Sequence, residues 1–285
     1  PVVLAPSLGL ERAAWFAVHV LLSDVAVAGI PPAHLSIDLT LPPAMTDEAF
    51  ATVWETVDAE ATEFGVSITT GHPGRYAGCD YPMVGAGTAI AVGDPDALVR
   101  PDGARVGDRV VVTKGPAVAA TALLATLFED CLRGAVSGDE LDAATDRFRD
   151  QTVVRDALTA VAAGPVTAMH GATQGGVDGA LTALGRAAAV GVEISRDRVP
   201  VQPGVDATCA VFDIDPWTAL SVGTLVLSVD PAGVDAVLDA LDAEDVPAAD
   251  VGAVVDGSGL SVDGEAVAPP ERDPFWAAIE ADEGR

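Results

Sequence analysis

The stretch "MHGATQGGVDGALTALG", residues 169–185, places two adjacent glycines between a short hydrophobic segment and a helical pattern. Backbone N–H groups at a helix N-terminus have no partner inside the helix and lie at the positive end of its dipole. A turn of this kind can therefore bind a phosphate group. Gly175 and Gly176 fit neither GxGxxG nor the Walker A pattern, and a tight strand-to-helix turn would need glycine equally. An anion site and a purely structural turn are both compatible with this stretch.

Outward from this turn, strands alternate with helices. Residues 166–170 and 192–196 are predicted to be strands on either side of the helix. The other predicted elements of this half are a strand at 109–115, a mostly helical region at 116–163, a strand at 224–230, a helix at 232–243, and strands at 250–257 and 260–264. This alternation is typical of the α/β and α+β classes.

The first hundred residues alternate in the same way. Residues 11–29 are apolar almost all round and predict a buried helix. Residues 34–43, "HLSIDLTLPP", alternate apolar and polar and predict a half-buried strand. Thr46 can cap a second helix that ends at Gly65. Two more strands are predicted at 66–71 and 83–93, with a loop at 72–82 between them. Loops of this length often carry function.

A polar, turn-rich stretch, residues 94–108, separates the two halves. Domain boundaries commonly fall in exposed segments rich in Pro, Gly and polar residues. A chain of 285 residues also exceeds the usual size of one domain. We therefore predict two domains, residues 1–98 and 99–285, with the boundary near Val99.

The chain is strongly acidic, with 43 Asp and Glu against 15 Lys and Arg and a formal net charge of −28. This charge would repel nucleic acid and anionic membrane surfaces, so neither is expected as a partner. Lys114 is the only lysine. An acid-rich, lysine-poor composition is typical of the cytosol of halophilic archaea, where salt screens the repulsion between carboxylates. An acidic mesophilic protein is the alternative.

The sequence shows no signal peptide and no uncharged run long enough to span a bilayer, so we expect a cytoplasmic protein. Its cysteines, Cys79, Cys131 and Cys209, lie far apart and suggest neither a disulfide framework nor a CxxC metal site. The GxSxG, HExxH and zinc-finger patterns are also absent, which gives no support to a serine hydrolase or a zinc site.

Polar residues in apolar surroundings are further candidates. Asp24, next to Ser23, interrupts the first helix, and a buried carboxylate must be paired, hydrogen-bonded or bound to a cation. The alternative for Asp24 is a helix-end carboxylate that nearby backbone satisfies. His72 and His170 each lie at a predicted strand end beside glycine. Strand ends gather ligands in αβ folds, although either residue could equally be a structural histidine.

Four of these segments together resemble the aminoimidazole-ribonucleotide-synthetase (PurM-like) superfamily. They are "FAVHVLLSDVAVAGIPPAHLSIDLTLPP" (16–43), "GVSITTGHPGRY" (65–76), "VRPDGARVGDRVVVTKGPAVAATALLA" (99–125) and "MHGATQGGVDGAL" (169–181). The last of them looks like the family's Asp-x-Thr-x-Gly-Gly turn. The resemblance runs over nearly the whole chain and is closest to the hydrogenase-maturation (HypE-like) and archaeal synthetase-related branches.

The resemblance implies a two-domain PurM-like fold of the α/β (α+β) class. Its N-terminal αβ sheet domain forms a homodimer, and ATP and Mg²⁺ lie between that sheet and the Gly-Gly turn of a C-terminal mixed-sheet αβ domain. It places eight residues at the nucleotide, with Asp24 as the magnesium ligand: Ser23, Asp24, Gly71, His72, Thr173, Gln174, Gly175 and Gly176. Members of the family use ATP to phosphorylate an amide or carboxamide oxygen, or a phosphate ester, and metal-bridged positioning accelerates such transfer.

The sequence departs from the family at several of these positions. Ser23 replaces the usual Asn, His72 an Asp or Glu, Gly171 an Asp, and Gln174 an Arg or Glu. Because hard cations need oxygen ligands, we expect weak magnesium binding. The last twelve residues lack the cysteine that carries the carbamoyl group in the hydrogenase-maturation branch. A glycine-rich N-terminal segment and an Asp after residues 2–5 are also missing, and we expect both in a longer form of the chain.

Two functions are compatible with this sequence. The first is an ATP-dependent ligase, cyclase or dehydratase that activates a small carbonyl or amide substrate. The second is a non-catalytic nucleotide-binding or assembly protein with a degenerate metal site. Asp24 and the Gly-Gly turn favour the first function, and the missing acids favour the second. Replacing Gly176 by Ala should harm nucleotide binding, because a side chain would block the approach of the backbone to phosphate.

Overall fold

The computed structural model describes residues 2–4, 6–81 and 83–283. Contacts between Cα atoms divide the chain into two compact units. We call them the N-terminal unit, Pro1–Ala26 with Ile30–Leu98, and the C-terminal unit, Val27–Gly29 with Val99–Arg285. Ala5, after which the Asp is expected, and Pro82, at the end of the predicted loop, lie outside the described residues.

The described residues of the N-terminal unit form two α-helices and a four-stranded sheet. Its elements are β1 (Val2–Leu4), α1 (Leu10–Ala26), β2 (Pro32–Leu41), α2 (Asp47–Glu63), β3 (Ser67–Arg75) and β4 (Met83–Ala91). The strand order is β1-β4-β2-β3, in which β2 runs parallel to β3 and antiparallel to β4. Strand β3 is therefore an edge of this sheet.

The alternating pattern of β2 is confirmed by its burial. Asp38 on one face is exposed, whereas the four alternating residues on the other face are at most 2% exposed: Leu35, Ile37, Leu39 and Leu41. The predicted cap of α2 is also present, since the hydroxyl of Thr46 accepts a hydrogen bond from the Ala49 N–H. Local patterns thus determine both elements.

The predicted loop at residues 72–82 is wrong at its start, because β3 continues to Arg75. Residues Gly71–Arg75 pair in register with Ile37–Leu41 of β2. Pro73 is tolerated there because β3 is an edge strand, where a missing N–H can face away from the ladder. His72 consequently lies inside a strand and not at its end.

The C-terminal unit contains a seven-stranded mixed sheet and the remaining α-helices. Its strands are β5 (Arg109–Thr113), β6 (Val166–Gly171), β7 (Gly191–Ile194), β8 (Leu225–Val229), β9 (Ala248–Val255), β10 (Gly259–Val262) and β11 (Glu265–Val267). Its helices are α3 (Val118–Leu127), α4 (Glu129–Arg133), α5 (Gly138–Asp146), α6 (Val154–Ala163), α7 (Gly176–Ala188), α8 (Val205–Val211), α9 (Val234–Ala243) and α10 (Pro274–Glu283). The strand order is β11-β10-β7-β9-β5-β8-β6, with β7 and β10 parallel and the other pairs antiparallel. The predicted mixed αβ class is confirmed.

Helix α7 is fixed by the main apolar core of this unit. Val177, Leu181 and Leu184 on α7 are at most 1% exposed and belong to one cluster with Val112 of β5 and Val226 of β8. Burial of each such side chain contributes about 1.5–3 kcal/mol. The start of α7, and with it the Gly-Gly turn, is thereby held at the end of β6.

Among the described residues, no helix combines the length and the apolar character needed to cross a bilayer.

Candidate functional site

The Gly-Gly turn connects β6 to α7 in a left-handed backbone conformation. Gly175 has a φ of +81° and Gly176 a φ of +66°, a region that residues with a side chain rarely adopt. A Cβ atom at Gly176 would lie 2.3 Å from the Trp217 carbonyl oxygen, whereas at Gly175 the nearest atom would be 3.6 Å away. Glycine at 176 is therefore required by packing as well as by conformation.

The N–H groups of this turn donate hydrogen bonds within the chain. Gly176 donates to the carbonyl of Thr173 over 3.2 Å, and Asp178 donates to the carbonyl of Trp217 over 3.2 Å. The Gly175 N–H donates to Oδ2 of Asp273 over 2.8 Å. In this conformation, the donor that a phosphate would need at Gly175 is already bound to a carboxylate.

Asp273 receives two further backbone hydrogen bonds. Its Oδ1 accepts from the N–H groups of Leu220 at 3.2 Å and Phe275 at 2.9 Å, and the residue is 5% exposed. Asp273 precedes Pro274, the first residue of α10, so it is the N-cap of that helix. One carboxylate thus lies at the N-termini of both α7 and α10.

Sequence reasoning missed Asp273. The Asp-Pro pair at 273–274 is a recognisable helix-start signal and could have predicted its capping of α10. The hydrogen bond to Gly175 spans 98 residues, and no local pattern encodes it.

Thr173 and Gln174 have exposed side chains at the start of the turn. The carbonyl of Thr173 accepts from the N–H groups of both Gly176 and Ser221. Gln174 lines a cavity of about 260 Å³ together with Thr182 and Arg186 of α7 and the segment that leads to Asp273. Of the four candidate residues in this unit, the two glycines form the turn and Gln174 borders this cavity.

Asp178 is buried in the first turn of α7 beside an arginine. Its Oδ2 accepts from Nη2 of Arg196 over 2.7 Å, and the Arg196 guanidinium lies 4.8 Å from the centre of the Trp217 ring. Burial raises the pKa of the Asp178 carboxyl, and the charge of Arg196 offsets part of that rise. Arg196 therefore connects Asp178, at the start of α7, to the Trp217 side chain.

Asp24 and Ser23 lie in the last turn of α1. The sequence argument treated Asp24 as a buried carboxylate, and this is wrong, because the Asp24 side chain is exposed while Ser23 is 8% exposed. Helical geometry directs Ser23 toward the buried face and its neighbour toward solvent. Partial desolvation still raises the pKa of Asp24. An exposed carboxylate at the negative end of a helix dipole remains suited to a cation.

Gly71 and His72 lie in the middle of β3. A Cβ at Gly71 would approach the Trp54 ring to 2.7 Å, so glycine leaves room for that aromatic side chain. His72 is exposed and pairs in register with Asp38 of β2. His170, the other predicted candidate, lies in β6, where its Nδ1 is 2.9 Å from the Gly171 carbonyl oxygen.

The candidate residues are divided between the two units, with Ser23, Asp24, Gly71 and His72 in the N-terminal unit and Thr173–Gly176 in the C-terminal unit. Over the part of the chain that the structure describes, no group of three or more His, Cys, Asp or Glu residues is placed to hold a metal ion.

The raised pKa values of Asp178 and Asp150 lead to a prediction about pH. Burial is the main cause at both residues. The folded state then binds more protons than the unfolded state just above the ordinary pKa of 3.8, so the free energy of unfolding falls as pH rises through this window. We expect denaturant unfolding in molar KCl to show a free energy that falls as the pH is raised above 3.8.

Asp178→Asn should make this pH dependence shallower, by at most about 1.4 kcal/mol per pH unit for one proton. Asp58→Asn on exposed α2 serves as the control and should keep the wild-type slope. A variant at Asp178 with the wild-type slope would contradict the assignment.

Two family models of known proteins match the two parts of this chain. Residues 105–265 match the family model described as AIR synthase related protein, C-terminal domain, and residues 1–92 match the corresponding N-terminal domain. A carbamoyl dehydratase HypE from Rhizobium leguminosarum bv. viciae is 29% identical over 236 residues, which cover 80% of this chain and 63% of the relative. The chain thus spans just under two thirds of that relative's length.

Solved structures share the fold at lower identity. The crystal structure of Escherichia coli HypE, a hydrogenase maturation protein, has a TM-score of 0.77 and 22% identity, over 92% of this chain and 81% of that one. A HypE structure in complex with ATP has a TM-score of 0.75 and 21% identity, over the same shares of the two chains. At these identities the similarity establishes a common two-domain fold.

Proposed function

The chain belongs to the AIR synthase related protein family, and from this premise we propose that it binds ATP and uses it to activate the carbonyl or amide oxygen of a small substrate. The observation that carries the proposal is the turn at the start of α7, with two left-handed glycines at the end of a core strand. Its sequence resembles the Gly-Gly turn of the family. The similarity to HypE, one structure of which contains ATP, supports the same function.

Each group of candidate residues has a defined part in this proposal. ATP supplies the phosphoryl group that turns an oxygen atom into a leaving group. The Gly175 N–H holds phosphate at the positive end of α7, and Gly176 forms the turn beside it. Asp24 holds a magnesium ion, with water and phosphate as its other ligands. Ser23, Gly71, His72, Thr173 and Gln174 line the nucleotide site.

We further propose that residues 1–98 form a dimerisation and ATP-binding domain and residues 99–285 a C-terminal AIR-synthase-like domain. The N-terminal domain joins a second copy through its sheet to give a homodimer. Asp38 and Thr88 are exposed on strands β2 and β4 of that sheet, and this exposed face supports the proposal. The acidic composition supports a cytoplasmic protein of a halophilic archaeon.

A second function is favoured by the exposed His72 and by the absence of a carboxylate cluster among the described residues. In that case the chain is a nucleotide-binding or assembly protein that no longer catalyses phosphoryl transfer. Calorimetric titration with ATP in molar KCl, with and without Mg²⁺, separates the two functions. Binding that depends on Mg²⁺ supports the enzyme, binding without this dependence supports the second function, and no binding removes the nucleotide from both.

Asp24→Ala should weaken binding of magnesium–ATP about tenfold, or about 1.4 kcal/mol, without dissociating the dimer. The reason is the loss of the one carboxylate assigned to the metal. Asp58→Ala, which removes the same charge from an exposed position on α2, should bind as the wild type does. Titration and analytical ultracentrifugation measure the two properties. Unchanged affinity in Asp24→Ala would remove this residue from the site.

A further inference from the structure

The segment 268–283 runs from the end of the sheet through Asp273 and α10, and we call it the C-terminal strap. We propose that the strap is an internal competitor for the phosphate position: the Asp273 carboxylate occupies the N-terminus of α7 and must leave before a phosphate group can bind there. This inference rests on the proposed function, because it concerns the same Gly-Gly turn.

The Asp273 carboxylate is surrounded by backbone donors. Three backbone N–H groups, from Gly175, Leu220 and Phe275, donate to its two oxygens at 2.8–3.2 Å. These donors belong to the starts of α7 and α10 and to the segment between α8 and β8. Backbone N–H groups at a helix start recognise a phosphate oxygen in the same way as a carboxylate oxygen. The Asp273 carboxylate therefore lies where a bound anion would lie, and it carries the same sign of charge.

The Asp273 carboxylate and a phosphate group exclude one another at this position. The Gly175 N–H has one hydrogen to donate, and it already points at Asp273. A phosphate brought to this position would also stand against a buried negative charge. The cap of α10 alone would need only the bond from Phe275, so the bonds from Gly175 and Leu220 connect the strap to the turn.

The strap is anchored to the rest of the C-terminal unit by few buried apolar side chains. Within the described part of α10, Phe275 and Ala278 are the buried apolar residues, whereas Trp276 is 40% exposed. The strap residues Pro269–Glu271 border the cavity beside Gln174 and Thr182. Release of the strap would expose two apolar side chains and open this cavity toward the turn.

Under this competition, the apparent affinity for ATP is the intrinsic affinity multiplied by the fraction of molecules in which the strap is released. Asp273→Ala should therefore bind magnesium–ATP about tenfold more tightly than the wild type, by calorimetry in molar KCl. Asp273→Asn, which keeps the size of the side chain and loses its charge, should lie between the two. Glu265→Gln, on exposed β11, removes one negative charge near the strap in sequence and should bind as the wild type does.

Hydrogen–deuterium exchange on the wild type provides a second measurement that needs no variant. Saturation with ATP should speed exchange in residues 274–283, while exchange in the core strand β8 stays unchanged. If the wild type binds ATP and neither variant at Asp273 binds more tightly, or if exchange in 274–283 is unaffected, the strap is a structural cap and only this inference fails. If neither the wild type nor the variants bind ATP, the proposed function fails and the inference with it.

Discussion

Replacing Lys114 by Met is expected to lower the free energy of unfolding by about 3–5 kcal/mol. The Lys114 ammonium lies 2.9 Å from Asp156 Oδ2, and the two side chains are 8% and 3% exposed. It also donates to the carbonyl oxygens of Thr152 at 2.7 Å and Gly223 at 3.2 Å. Methionine fills a similar volume but leaves the buried Asp156 carboxylate without a counter-ion. Removal of one partner from a buried ion pair is among the most destabilising changes known in proteins.

Denaturant unfolding followed by circular dichroism in molar KCl measures this loss. Arg133→Met, which removes an exposed arginine paired with Glu129, should change stability by less than about 1 kcal/mol. The double variant Lys114→Met with Asp156→Asn should recover part of the loss, because the uncompensated charge is gone. A loss below about 1 kcal/mol in Lys114→Met would show that the network contributes little to folding.

Gly176→Ala is expected to destabilise the C-terminal unit by about 3 kcal/mol, whereas Gly175→Ala should cost about 1–2 kcal/mol. Both residues have positive φ, so both variants suffer the left-handed conformation. Only at Gly176 would the new Cβ also collide, at 2.3 Å from the Trp217 oxygen and 2.9 Å from the Ala219 oxygen. The difference between the two variants therefore isolates the effect of packing.

Parallel unfolding curves of the two variants and the wild type test this difference. Equal losses at 175 and 176 would contradict the packing argument. The expectation that Gly176→Ala harms nucleotide binding stays a prediction, but the collision with the Trp217 oxygen gives a second cause for such a loss. Because this substitution disturbs the turn without any ligand, loss of binding in it does not identify a phosphate contact. Gly175→Ala, which has room for a Cβ, is the better probe of the turn.

Elements with strong local patterns were predictable from the sequence. The alternation in β2, the Thr46 cap of α2 and the strand–turn–helix around Gly175 all depend on residues close in sequence. Their order gave the mixed αβ class, since alternating strands and helices leave few other arrangements. The helices α8 and α10 were missed, because α8 is only seven residues long and α10 follows a proline-rich segment.

Features that depend on distant residues could not be predicted. Continuation of β3 through Pro73 follows from pairing with β2, which lies more than thirty residues earlier. The exposure of Asp24 depends on which face of α1 the rest of the unit covers. The bond between Asp273 and Gly175 joins two helix starts that no local pattern relates. Tertiary contacts of this kind override local preference.

The burial of Lys114 also determines how the protein will respond to chemical labelling. It is the only lysine in the sequence, it is 7% exposed, and its amine is enclosed by a carboxylate and main-chain oxygens. Acylating reagents and bifunctional amine cross-linkers will therefore find no accessible ε-amino group on the folded chain. Acylation at this position will instead follow unfolding, so a single lysine-directed reagent can report the unfolded population in a mixture where spectroscopy cannot.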